Sequence, residues 1–135
     1  MPVVVDASVA LAWLLNEPNG TIADTAIKEG IVSGLAAPEL FWIEVANVLG
    51  VHVRRRRLPP SERDAALNDL QSLQIVQHQS AEKLSDLVAL SDRHSLTAYD
   101  AAYLELAVRL GAPLATLDGD LAAAARAEGL RVIGA

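Results

Sequence analysis

Short apolar runs alternate along this chain with longer stretches whose hydrophobic residues recur at helical spacing. Val3–Val5, Leu35–Ala37, Gln74–Val76, Leu114–Leu117 and Arg131–Ile133 read as strands, and the first is β-branched throughout, which suits an extended backbone. Helix start signals fall between them. Thr21 with Asp24, Ser61 with Asp64 and Thr97 with Asp100 each match the Ser/Thr-x-x-acid signature of a capped first turn. Gly30, Gly111 and Gly129 sit where helical stretches should stop. Pro59 and Pro60 break the longest helical region, because proline lacks an amide donor and its ring collides with the preceding turn. The pattern therefore predicts separate helices from Pro38 to about Arg56 and from Ser61 to about Leu73. The order β-αα-β-αα-β-αα-β-α-β predicts an α/β fold, a mainly parallel five-stranded sheet flanked by helices on both faces. No internal repeat, linker or low-complexity segment interrupts it, so residues 1–135 are expected to form a single domain.

Four acids stand out by position. Asp6 follows the first strand directly and Asp118 follows the fourth, and in an open parallel sheet ligands bind beyond the carboxyl ends of the strands. Each also has a purely structural reading. Asp6 can cap a helix starting near Ser8, and Asp118, in Asp118-Gly119-Asp120, can cap the helix through Ala122–Glu128. Asp100 fits the third helical position of a capping box begun by Thr97. Glu44 is harder to place in that way. In LFWIEVANVL, Leu40 to Leu49, only Glu44 and Asn47 are polar, and their i, i+3 spacing puts them on one face of a helix expected to be buried on most sides. An ionised carboxylate taken out of water costs several kcal/mol unless something compensates it. An arginine from a neighbouring helix, protonation and a metal ion are the three solutions. Should the four acids converge, like charges about 4 Å apart repel by roughly 4 kcal/mol at an effective dielectric of about 20, and a cation or a proton must relieve them. An all-oxygen site suits Mg2+ or Mn2+ rather than zinc or copper.

Composition narrows the field. The chain has 135 residues, 52% hydrophobic and 21% charged, as expected of a globular protein with a substantial core. No run approaches the ~18 apolar residues of a membrane span. The apolar opening MPVVVDASVALAWLL lacks a basic leader and carries Asp6 early, so a strand and helix are expected there rather than a signal peptide. With no cysteine, disulfides and thiolate metal sites are excluded and a cytoplasmic address is expected. Net charge is −6, from 17 Asp plus Glu against 11 Lys plus Arg, the wrong sign for a protein that chiefly holds phosphate backbones. Carboxylates gathered around divalent cations would be neutralised locally, however, and basic residues are concentrated in the run Arg54, Arg55, Arg56 and Arg57.

The chain resembles the PIN domain family, in particular the VapC-like ribonuclease toxins of bacterial and archaeal toxin–antitoxin pairs. The matching pieces are VVVDASVALAWLL, ELFWIEVANVL, LTAYDAAYLELA and LATLDGDLAAAA, whose order and spacing span nearly the whole length. The resemblance implies a PIN-like fold and makes Asp6, Glu44, Asp100 and Asp118 the catalytic, metal-holding acids. It makes Ser8, Asn47, Thr116 and Asp120 supporting residues. It further implies an endoribonuclease using one or two Mg2+ ions, Mn2+ being possible, to activate water without a nucleophilic side chain. Products would then carry a 5′-phosphate and a 3′-hydroxyl, with no 2′,3′-cyclic intermediate. The implied partners are an RNA substrate, a cognate antitoxin protein whose basic tail complements the acidic surface, and a second copy of the chain in a homodimer.

Other features fit this reading or stand apart from it. His52, His78 and His94 lie in none of the four motifs. Arg54–Arg57 close a long helix, where cations complement the macrodipole; contact with an RNA backbone is the functional alternative. Trp13 and Trp42 are expected in the core. A non-catalytic PIN scaffold binding a protein or RNA partner is the competing reading, although all four acids are present. A haloacid-dehalogenase-type phosphatase needs an Asp where Ser8 stands and a downstream lysine, and only Lys28 and Lys83 occur. Nucleotide-binding glycine motifs are absent.

Overall fold

A computed structural model describes residues 1–134; Ala135, the last residue of the expected domain span, lies outside the described residues. Five strands and seven helices alternate along them: β1 (Val3–Val5), α1 (Ala7–Leu15), α2 (Gly20–Ser33), β2 (Leu35–Pro38), α3 (Leu40–Arg54), α4 (Pro60–Ser72), β3 (Val76–His78), α5 (Leu84–His94), α6 (Ala98–Leu110), β4 (Leu114–Thr116), α7 (Gly119–Ala127) and β5 (Val132–Gly134). The strands form one sheet in the order β3-β2-β1-β4-β5, every pairing parallel. From β1 the chain steps outward through β2 and β3, then crosses back to lay β4 and β5 on the other side of β1. Because such crossovers are right-handed, this reversal puts α1–α4 on one face and α5–α7 on the other. The packing agrees: α1 touches α2, α3 and α4, while α6 touches α5 and α7. The central strands β1 and β4 are buried throughout, as a sheet covered on both faces requires. No helix among the described residues is long and apolar enough to cross a membrane.

Several expected boundaries move, each for a local reason. The third strand begins at Val76 rather than Gln74, whose left-handed backbone (φ 55°) cannot enter a strand. It is also an edge strand with Val76 and Gln77 exposed, so its apolar signal is weak. The third helix runs from Leu40 to Arg54 instead of Pro38 to Arg56, since Pro38 completes β2 and Arg56 is left-handed (φ 57°). Neither Thr21 nor Ser61 caps a helix. Ile22 and Ala23 both donate to the Asn19 carbonyl, so α2 is already wound before Thr21. In α4 the helix begins on Pro60, whose fixed φ suits a first turn, and Ser61 falls inside.

Gly30 does not end α2; the helix continues to Ser33 and Gly34 (φ +101°) closes it. Gly30 serves close packing instead. A β-carbon there would lie 2.1 Å from Cδ2 and 2.5 Å from Cγ of the buried Leu35 in β2. Gly30→Ala therefore gains about 1 kcal/mol of helix propensity but forces an overpacked contact costing about 1–3 kcal/mol. We expect a lower urea midpoint for the variant with an unchanged slope; a raised midpoint would show that α2 can lift off β2 freely.

Candidate active site

The reversal of strand order lies between β1 and β4, where an open parallel sheet offers a crevice at the carboxyl ends of its strands. Asp6 stands at one lip and Asp118 at the other, and both are helix caps. The Asp6 Oδ1 accepts the Val9 N–H at 3.1 Å at the start of α1. The Asp118 Oδ1 accepts the N–H groups of Asp120 (2.8 Å) and Leu121 (3.3 Å) at the start of α7. Thr97 caps α6 by accepting the Asp100 N–H at 3.1 Å, as its signature predicts. The structural readings of these acids are thus correct, and they leave the functional ones open, since a cap occupies only part of a carboxylate.

Asp6 is held on both oxygens. The Ser8 hydroxyl donates to Oδ1 at 2.6 Å and the Thr116 hydroxyl donates to Oδ2 at 2.5 Å. Each hydroxyl in turn accepts a backbone amide, Leu117 N–H on Ser8 Oγ at 3.1 Å and Asp118 N–H on Thr116 Oγ1 at 3.0 Å. A hydroxyl has one proton, and with the amides filling their acceptor positions both protons are directed at Asp6. Ser8 and Thr116 therefore fasten the end of β1 to the turn that carries Asp118.

Glu44 departs from expectation. Only Phe41, Val45 and Leu49 of α3 are fully buried, against α1 and α4, and Ile43 is 72% exposed. The helix lies on the surface with one buried stripe. Among the described residues no ion pair joins Glu44 to an arginine; its Oε1 accepts the Tyr103 hydroxyl at 2.8 Å. Tyr103, 1% exposed on α6, is a site residue the sequence reading missed. Its signal was available: a tyrosine three residues after Asp100, inside a helix otherwise aliphatic on that side, needs a partner for its hydroxyl. Asn47, one turn beyond Glu44, is exposed and lines a shallow depression with Glu44, Thr97, Tyr99 and Asp100. Arg54–Arg57 are exposed at the far end of α3, about 15 Å along the axis from Glu44.

The acids share one electrostatic field, with Asp100 at its centre. Burial pushes the Asp6 carboxyl up to about 6, and the Asp100 charge adds to that while its three hydrogen bonds oppose it. Glu44 is raised first by burial and then by Asp100. Asp100 is raised by burial and by the charges of Asp118 and Asp120. Among the described residues none of these five acids forms an ion pair with arginine, lysine or histidine. Nor, as placed, do any three stand close enough to ligate a single ion. Repelling carboxylates turn to whatever donors the protein offers, and Asp6, Glu44 and Asp118 have done so. The donor set itself, carboxylates and hydroxyls without nitrogen or sulfur, fits a hard dication.

A family model described as PIN domain matches residues 3–127. The chain is 38% identical over 126 residues to Ribonuclease VapC3 of Pyrobaculum aerophilum, covering 90% of this chain and 93% of that protein. It is 33% identical over 123 residues to Ribonuclease VapC3 of Mycobacterium tuberculosis, covering 90% and 86%. Among solved structures, PAE2754 from Pyrobaculum aerophilum superposes with a TM-score of 0.76 at 25% identity, over 98% of this chain and 84% of that one. FitAcB from Neisseria gonorrhoeae shares the fold, with a TM-score of 0.66 at 14% identity over 98% and 96%.

The raised Asp6 carboxyl makes stability depend on pH with a definite sign. The folded chain holds this proton more tightly than the unfolded chain, so the contribution is complete below about 4 and is lost as pH rises through about 6. By neutral pH the loss approaches about 3 kcal/mol. In chelator, the melting temperature should fall between pH 5 and pH 7.5, and Asp6→Asn should melt above the parent at pH 7.5 with a flatter profile. A variant melting lower at both pH values would mean that the hydroxyl clamp outweighs the buried charge.

Proposed function

The chain belongs to the PIN domain family, and from that premise we propose that it is a metal-dependent endoribonuclease, the toxin of a toxin–antitoxin pair. The observation that carries this reading is the group of five acids at the strand reversal, mutually repelling and without a basic partner among the described residues. Relatives named as ribonucleases support the choice of RNA as substrate.

In this proposal Asp6, Glu44, Asp100 and Asp118 hold one or two Mg2+ or Mn2+ ions, with Asp120 at the margin. A divalent cation supplies Lewis-acid chemistry, polarising a phosphate and acidifying a water at neutral pH. The protein's part is orientation. Ser8 and Thr116 fix both oxygens of Asp6, so that group cannot rotate away when its charge is needed. Tyr103 fixes one oxygen of Glu44 and leaves the other free. Asp118 spends Oδ1 on its cap and keeps Oδ2 for the site. Asp100 has only the Thr97 hydroxyl to favour its charged form, against its burial and the charges of Asp118 and Asp120, which leaves most of its carboxylate for ion or water. With the Ser8 and Thr116 hydroxyls committed to holding Asp6, water rather than a side chain attacks phosphorus and the 3′-oxygen departs, giving 5′-phosphate and 3′-hydroxyl ends. A basic-tailed antitoxin, a homodimeric state and a cytoplasmic setting complete the proposal.

The test is cleavage of labelled RNA by purified protein. Activity should require Mg2+ or Mn2+ and vanish in EDTA. Asp6→Asn and Asp100→Asn should each lose more than the roughly 10–100-fold typical of removing a metal's outer supports. Cleavage indifferent to chelator and to both substitutions would refute the proposal, and cyclic-phosphate ends would refute its water-attack mechanism.

A further inference from the structure

Tyr99 is 67% exposed although aromatic, and it borders two hollows at once. One is the depression holding Glu44, Asn47 and Asp100. The other is a cavity of about 210 Å³ between the start of α3, the loop after β3, and helices α5 and α6. Pro38, Leu40, Leu87 and Ala102 make its walls apolar, while Gln79, Ser80 and Arg109 make its rim polar. Arg109 is fixed in place. Its Nε donates to Oε1 of Glu105 at 2.8 Å, and its Nη2 donates to Oε2 at 3.1 Å and to the Gln79 carbonyl at 2.9 Å. Glu105, only 8% exposed, is the buried anchor of this arrangement. Nη1 of Arg109 has no hydrogen-bond partner among the described residues.

We infer that this cavity is a nucleobase subsite, taking one base of single-stranded RNA, stacked on Tyr99, next to the nucleotide being cut. The inference rests on the nuclease reading and adds to it a base-binding residue beside the acids. Three observations converge. The cavity is smaller than the roughly 300–1,000 Å³ of sites for drug-sized molecules, so it suits a single ring system. An exposed aromatic ring is a stacking surface that any base can use. Arg109 lines the cavity with its Nη1 unpartnered among the described residues, and guanidinium donors suit the acceptor atoms on a base edge. Reach agrees as well. Tyr99 lines the same depression as Asp100 and Glu44, so a base on the tyrosine brings its own phosphate to the acids. Only an unpaired base can enter, which makes loops and single strands the substrate form and duplex RNA a poor one.

The experiment measures fluorescence anisotropy of a labelled mixed-sequence RNA 12-mer, single-stranded and annealed to its complement, against protein carrying Asp6→Asn to stop cleavage. Adding Tyr99→Ala should weaken single-strand binding by about 5- to 150-fold. Tyr99→Phe in its place should restore it. The salt dependence of binding should stay the same, since a stacked base displaces no counterions. Duplex binding should be unaffected by either change. Cleavage of the same single strand is followed in parallel with Asp6 intact. If Tyr99→Ala changes neither binding nor cleavage while RNA is still cut, the subsite is overturned, the nuclease reading stands, and the cavity is left to a protein side chain. If Tyr99→Phe fails along with Tyr99→Ala, the ring is not a stacking surface and the inference is again overturned. If RNA is neither bound nor cut by any form, the nuclease reading falls and takes the subsite with it.

Discussion

Negative charge without a countercharge is the constraint around which this fold is arranged. Asp6 is 5% exposed, Glu44 and Asp100 are partly buried, and each is raised by loss of water and by its neighbours' charge. A protein selected only for stability would put an arginine among them or replace them with apolar residues. Here the arginines are engaged elsewhere: Arg93 with Glu128, Arg109 with Glu105, Arg131 with Glu29. Local destabilisation retained at a topologically privileged place is what a functional site looks like in physical terms.

The sheet makes that arrangement possible. Reversal of the strand order between β1 and β4 opens the crevice, and α6 brings Asp100 and Tyr103 to it from the opposite face to α1 and α3. The acids therefore come from four separate elements, held in relation by hydrogen bonds spanning long stretches of sequence. Thr116 reaches Asp6 across 110 residues and Tyr103 reaches Glu44 across 59. Short strands of three or four residues suffice because both faces are covered.

Much of this was legible in the residues. Val3–Val5 could only be a buried strand, and Thr97 with Asp100 correctly marked the start of α6. The positions of Asp6 and Asp118 after strands one and four placed them at one edge of the sheet. Local signals failed where a neighbour overrode them. Pro60 and Asn19 started helices ahead of the hydroxyls expected to cap them, and Gly30 answered to Leu35 rather than to the end of its own helix. The burial of α3 was overestimated because apolar composition does not reveal which side of a helix has a neighbour. Tyr103 was missed for a related reason: local spacing shows that its hydroxyl needs a partner, but not that the partner stands 59 residues away.

Uptake of a hard cation by these carboxylates is the property on which everything else depends. Isothermal titration of the RNA-free protein with Mn2+ near pH 7, in two buffers of different ionisation enthalpy, measures both the binding and the protons released with it. Saturable binding with proton release is expected, both lost in Asp100→Asn, which takes away the charge that the other acids feel. Heats no larger than dilution, or binding that Asp100→Asn leaves unchanged, would contradict this reading.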